Sequence, residues 1–182
     1  MENTEQTSKE FQELGPYPQE RVHRIPEAPG SAAMCLVRPL TPADEPAWRE
    51  WRARTALPVR PQPTEQQRLA DLHTPYSQQL FCGVFPSAAP DTIAFCVRLR
   101  RNPECATECF FDVLATPTAS AALIEAVVPV LHADVATIGC TRVTSYVCPL
   151  IHPAIVPVLT ALGMTKVGSV GSKTILQKDI IP

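Results

Sequence analysis

The sequence predicts an α+β (α/β) domain in which a mixed, mostly antiparallel central sheet is flanked by helices. Three observations lead there. Between residues 79 and 115, three runs rich in Val, Phe, Cys and Leu are separated by turn clusters, the pattern of consecutive antiparallel strands. From Thr118 the apolar spacing changes to the three-to-four period of a helix. From Asp112 to Gly168 the chain then reads strand, helix, strand, helix, strand. At 182 residues it is long enough for one such domain with a substantial core.

Composition narrows the classes of function. Apolar residues make up 45% and charged residues 19%, a globular balance. A net charge of −2 and a pI near 6.1 provide no basic field for nucleic acid or an anionic membrane. No apolar run reaches the length needed to cross a bilayer. The N-terminal Met-Glu-Asn-Thr-Glu-Gln lacks the basic and apolar regions of a secretory signal. Seven cysteines, an odd number scattered through the expected strands, fit a reduced, cytoplasmic protein.

Residues 1–33 are polar and acidic, and Pro16, Pro18, Pro26 and Pro29 argue against regular structure. They read as an extension, with a single domain over 34–182. Met34-Cys-Leu-Val-Arg-Pro39 is a short apolar strand. Thr41-Pro42-Ala43-Asp44 signals a helix start, and Pro46 places the regular helix from about Asp44. Trp48 and Trp51 share a face of that helix at i, i+3, either as its core face or as an aromatic wall for an amine. Thr64-x-x-Gln67 resembles a capping box for a second helix ending near His73. Strands follow at 79–85, 92–100 and 108–115, the first two forming a hairpin. The Arg98-Leu-Arg100-Arg101 run reads as a solvated strand end, with phosphate binding as the other reading.

Ala122, Leu123, Ala126, Val127, Val130 and Leu131 then repeat at helical spacing, with Pro129 expected to kink or locally break the helix and Gly139 to stop it. A β-branched strand covers 141–148. A helix over 153–162, with Pro157 inside it, closes at Gly163, and paired strands at 165–170 and 173–178 end the fold.

This order resembles the GNAT (Gcn5-related N-acetyltransferase) fold over residues 34–180. The most specific match is the helix ending Leu-Thr-Ala-Leu-Gly163-Met164 followed by Thr-Lys-Val-Gly168, which is similar to the family's helix–Gly–Phe–strand ending. The resemblance implies that acyl-CoA enters between the strand at 108–115 and the strand at 141–148. It also implies that the pyrophosphate rests on amides at the start of the intervening helix, a placement that free N–H groups and the helix dipole favour. Backbone of Val113, Leu114 and Ala115 would polarise the thioester, and Thr118, Ala119, Ser120, Ala121 and His152 would hold the cofactor, acetyl-CoA.

Three departures stand beside the match. The family's Gly-rich, Arg-containing loop is replaced by Thr116-Pro-Thr-Ala-Ser-Ala121, without Gly or Arg. Thr118 and Ser120 read either as helix caps or as hydroxyl donors to phosphate. The Tyr that many members use as an acid is Leu159, and the residue at the family's Asn position is His152.

Acetyl transfer needs a base for the ammonium proton and an acid for the thiolate. Glu108 and Asp112 share one strand face and are the candidate bases; Tyr146 and Cys148 share a face of the next strand and are the candidate acids. Cys105-x-x-x-Cys109 lacks partners for a zinc set, so no metal is expected. The resulting expectation is an acyl-CoA-dependent N-acyltransferase acting on a small-molecule or protein amine, with a homodimer allowed. The alternative is a catalytically inactive GNAT-fold binding or assembly module.

Overall fold

The computed structural model describes residues 21–54, 79–116 and 119–180. Eight strands form one sheet: β1 (His23–Pro26), β2 (Met34–Pro39), β3 (Gln79–Pro86), β4 (Phe95–Asn102), β5 (Cys105–Ala115), β6 (Arg142–Val147), β7 (Thr165–Val170) and β8 (Lys173–Asp179). Their order is β1-β2-β3-β4-β5-β6-β8-β7. Among the described residues, every pairing is antiparallel except β5–β6, which is parallel. Three α-helices are described: α1 (Glu45–Arg54), α2 (Ala121–Thr137) and α3 (Ile155–Ala161). The expected mixed, mostly antiparallel sheet with flanking helices is the observed architecture.

The two faces of the sheet carry separate cores. On one, Trp48 and Trp51 of α1 are fully buried against Phe81, Phe85, Ile93 and Cys96. Their rings stack at 5.2 Å, and Trp48 meets Phe81 edge-on at 4.6 Å. The tryptophans are therefore the core face of α1. Gly83 in β3 lets Leu40 and Phe85 of this core close over the strand, since a Cβ there would lie 2.5 Å from Leu40 and 2.8 Å from Phe85. On the other face, α2 and α3 pack Leu123, Ile124, Val127, Val128, Leu131, Val158 and Leu159 onto Val97, Phe111, Val143 and Leu176.

Helix boundaries follow local chemistry. α1 begins one residue beyond a 3-10 turn at Pro42–Asp44, so Pro46 sits in the first turn, where its missing N–H costs nothing. Asp44 accepts from the Thr41 N–H at 2.8 Å and from Arg38 at 2.6 and 2.7 Å. Helix α2 runs through Pro129 without a break. Pro129 and Glu125, four residues earlier, are both exposed, so water can satisfy the carbonyl that proline leaves unpaired.

Both α2 and α3 end in the same Schellman pattern. Gly139 N–H bonds Ala136 O and Cys140 N–H bonds Val135 O; Gly163 N–H bonds Thr160 O and Met164 N–H bonds Leu159 O. Both glycines have positive φ, 96° and 86°.

One expectation changes at the N-terminal side. Residues 23–26, assigned no regular structure from their prolines, form β1 and pair with β2 from His23↔Val37 to Pro26↔Met34. As an edge strand, β1 tolerates a terminal proline. Arg21 and His23 then reach α2, with Asp134 accepting from Arg21 at 2.6 Å and contacting His23 at 2.7 Å. The helix expected over 64–73 lies outside the described residues.

Candidate active site

The parallel contact between β5 and β6 is short. Its register comprises Glu108↔Arg142, Cys109↔Val143 and Phe110↔Thr144, then stops. Each strand stays paired on its outer side: β5 with β4 as far as Ala115↔Phe95, and β6 with β8 as far as Val147↔Thr174. The two strands part only from one another, opening a wedge toward their C-terminal ends, as expected for this pair.

Side chains bridge the first step of the opening. The Ser145 hydroxyl donates to Phe111 O, and Asp112 Oδ1 accepts from the Tyr146 N–H at 3.3 Å. Because Phe111 directs its backbone toward β6, the alternation of a strand directs the N–H and C=O of Val113 and Ala115 the same way. Those amides face the wedge past the end of the β5–β6 register. Leu114 directs its backbone to the β4 side, opposite Cys96.

Beyond the wedge the chain enters α2. Ser120 is the N-cap, its hydroxyl accepting from Leu123 N–H at 3.4 Å. The first-turn amides of Ala121 and Ala122 have no intrahelical partner. Ala119 N–H bonds Thr116 O at 3.0 Å. His152, 5% exposed, comes from the segment before α3 and places Nε2 2.9 Å from Ala119 O. A carbonyl can only accept, so Nε2 carries a proton, and in the neutral ring Nδ1 is then an acceptor. Nδ1 is buried without a partner. Thr118 lies outside the described residues.

The candidate acids and bases are distributed unevenly. Asp112 is 1% exposed, and its Oδ2 accepts from Arg98 Nε at 3.1 Å, Arg98 Nη2 at 2.8 Å and Arg100 Nη2 at 3.1 Å. With Oδ1 on Tyr146 N–H, it clamps two strands together. Glu108 lies where β5 and β6 are still paired. Its oxygens accept from Asn102 Nδ2 at 2.6 Å and from the Thr144 hydroxyl, which in turn accepts from Gln177 Nε2 at 3.1 Å. Tyr146 packs edge-on against Phe110 at 5.8 Å. Cys148 follows β6, half-buried, with Sγ 3.8 Å from Ser172 Oγ. Leu159 is wholly buried in the core.

On the opposite face, His132 of α2 meets Phe111 edge-on at 4.5 Å, with both ring nitrogens unpartnered. Burial, with a smaller contribution from Lys178, holds its pKa down at about 4, so the ring is neutral at physiological pH.

Sequence reasoning missed two parts of this site. Arg98 and Arg100, read as a solvated strand end, are held by Asp112; the available signal was that Arg98 and Arg100 alternate on the face that also carries Asp112. Ser145 drew no notice, because its hydroxyl matters only where the two strands separate.

No protein-family model and no curated protein sequence matches the chain. Solved structures do match its fold. The GNAT domain of PAT from S. lividans superposes with a TM-score of 0.66 at 15% identity, covering 90% of this chain and 99% of that one. A probable acetyltransferase from Staphylococcus epidermidis gives 0.62 at 10% identity, covering 81% and 100%. Spermidine N-acetyltransferase from Vibrio cholerae, solved with CoA and spermine, gives 0.54 at 13% identity, covering 79% and 92%. At these identities the likeness is one of fold, and the fold of this chain is the GNAT fold.

Proposed function

We propose that the chain binds an acyl-CoA in the β5–β6 wedge and moves its acetyl or similar acyl group to an amine. The observation that carries this reading is the early end of the β5–β6 register, which leaves the Val113 and Ala115 amides without a backbone partner on β6 shortly before the α2 N-terminus.

The residues present suit such a ligand. The Ala121 and Ala122 amides, with the helix dipole, offer donors to a pyrophosphate. The buried, unpartnered Nδ1 of His152 offers an acceptor to a pantetheine amide N–H. In the wedge, a Val113 or Ala115 N–H would bond the thioester oxygen as negative charge develops on it. The amine nitrogen attacks the carbonyl carbon, the C–S bond breaks, and the thiolate takes a proton from the Tyr146 phenol or the Cys148 thiol. Glu108, on the same strand face as Asp112 and five residues before Val113, would receive the amine proton through water. Asp112, already holding four donors, serves better as a scaffold than as a base.

A non-catalytic binding module is the second reading. Its support is the buried Leu159 at the family's acid position together with a loop lacking glycine and arginine. Acetyl-CoA titration of the full-length protein by isothermal calorimetry separates the two. Saturable micromolar binding, weakened at least tenfold by Ser120→Glu, is the expected result. Absence of heat and of any thermal shift at millimolar acetyl-CoA would sink the transferase reading and favour the module.

A further inference from the structure

The face of the sheet opposite α2 carries an unbalanced cationic pair beside the wedge. Arg98 stands across from Asp112 and Arg100 across from Phe110 in the β4–β5 register. Both guanidinium groups converge on a single oxygen, Asp112 Oδ2. Among the described residues, two positive charges therefore share one buried carboxylate, leaving an excess of one. On β4 and β5, the other acid whose side chain lies on this face, Glu108, has its oxygens engaged by Asn102 and Thr144.

Donors also outnumber acceptors. Arg98 Nη1, Arg100 Nη1 and Arg100 Nε have no hydrogen-bond partner among the described residues, and Arg100 Nε is buried. A buried N–H of a charged group left unmatched is costly, which makes it a mark of a missing acceptor. The Arg100 guanidinium is held 5.1 Å over the Phe110 ring, so its plane is set before any ligand arrives. The side chains of Arg98 and Arg100 remain 29% and 35% exposed, open to a ligand from solvent.

We propose that Arg98 and Arg100 dock a carboxylate carried by the amine acceptor, so that the acceptor is an anionic amine such as an amino acid rather than a polyamine. A guanidinium presents paired N–H groups at the spacing of two carboxylate oxygens, a fit that a simple cation lacks. The inference rests on the transferase reading for the word acceptor; the anion site itself rests on the arginines alone.

The test titrates the full-length protein with glutarate and with glutaramide at low salt, with and without saturating CoA. Saturable glutarate binding at least tenfold tighter than glutaramide binding, unaffected by CoA, is expected. Arg100→Gln should weaken it at least tenfold, while Arg100→Lys, keeping the charge on Asp112, should weaken it less and controls for folding. Equal binding of diacid and diamide, or glutarate binding unchanged in Arg100→Gln, overturns the proposal. Competition by CoA also overturns it, assigning the arginines to a cofactor phosphate. Acetyl-CoA binding without glutarate binding sinks this inference alone. Glutarate binding in a protein that ignores acetyl-CoA sinks the transferase reading and leaves the anion site standing.

Discussion

The same two strands behave differently at their two ends. At the start of β6, Glu108, Cys109 and Phe110 pair with Arg142, Val143 and Thr144 through backbone, with Thr141 N–H adding a bond to Thr107 O at 2.8 Å. Two residues further on, the partners of the backbone are a hydroxyl and a carboxylate, Ser145 and Asp112. A backbone ladder propagates itself, whereas a side chain satisfies one group and ends. Substituting side chains for backbone is thus how a parallel pair can be stopped without leaving its first free polar groups unpaired. The open end is held by a few replaceable atoms, and the closed end by atoms no substitution removes.

That contrast yields tests in descending order of effect. Asp112→Ala removes the acceptor of two arginines and of Tyr146 N–H. A broken buried pair costs about 3–5 kcal/mol, and the low end applies because the guanidinium groups are about a third exposed. Urea unfolding should show this loss, while Thr144→Val at the closed end should cost far less. Equal costs would erase the distinction between the ends.

On the other face, His132 sits against Phe111 at the point where pairing stops. Its folded pKa of about 4 lies below the ordinary 6.5, so the unfolded chain binds the proton more readily. The folded state therefore loses stability as pH falls from about 6.5 to 4, by on the order of 3 kcal/mol, and keeps its full share above that window. Unfolding curves at pH 7.5 and 4.5 should show a smaller drop for His132→Leu than for the parent. Parallel drops would remove His132 from the account.

Ser145→Ala is the smallest of the three. It leaves Phe111 O, buried beside the wedge, without its donor, a loss of about 1–3 kcal/mol. The sharper readout is amide exchange: Tyr146, held by Asp112, should keep its protection. If Tyr146 loses protection too, the two bridges act as one unit.

How much of this was legible in the sequence varies by element. The strands at β3, β6 and β8, the Gly stops of α2 and α3, and the helix start behind Thr41 each rest on neighbouring residues, and each stands within a few residues of its expected place. The wedge strands and the position of Ser120 at a helix start were legible through resemblance of the whole order. By contrast, β1 escaped notice because its regularity comes from pairing with β2, not from its own Pro-flanked composition. The Arg98–Asp112–Arg100 clamp escaped because cross-strand register sets which side chains meet.

By itself, then, the chain determined where helices and strands begin and end, which faces are apolar, and which of the family's usual groups it lacks. These depend on propensity, period and caps acting over a few residues. Only the tertiary structure decided that Asp112 is a clamp, that His152 ties the loop before α2, and that β5 and β6 pair for three residues and then part. Each of these joins groups more than ten residues apart in sequence, and such meetings are settled by packing and register, which no local stretch encodes.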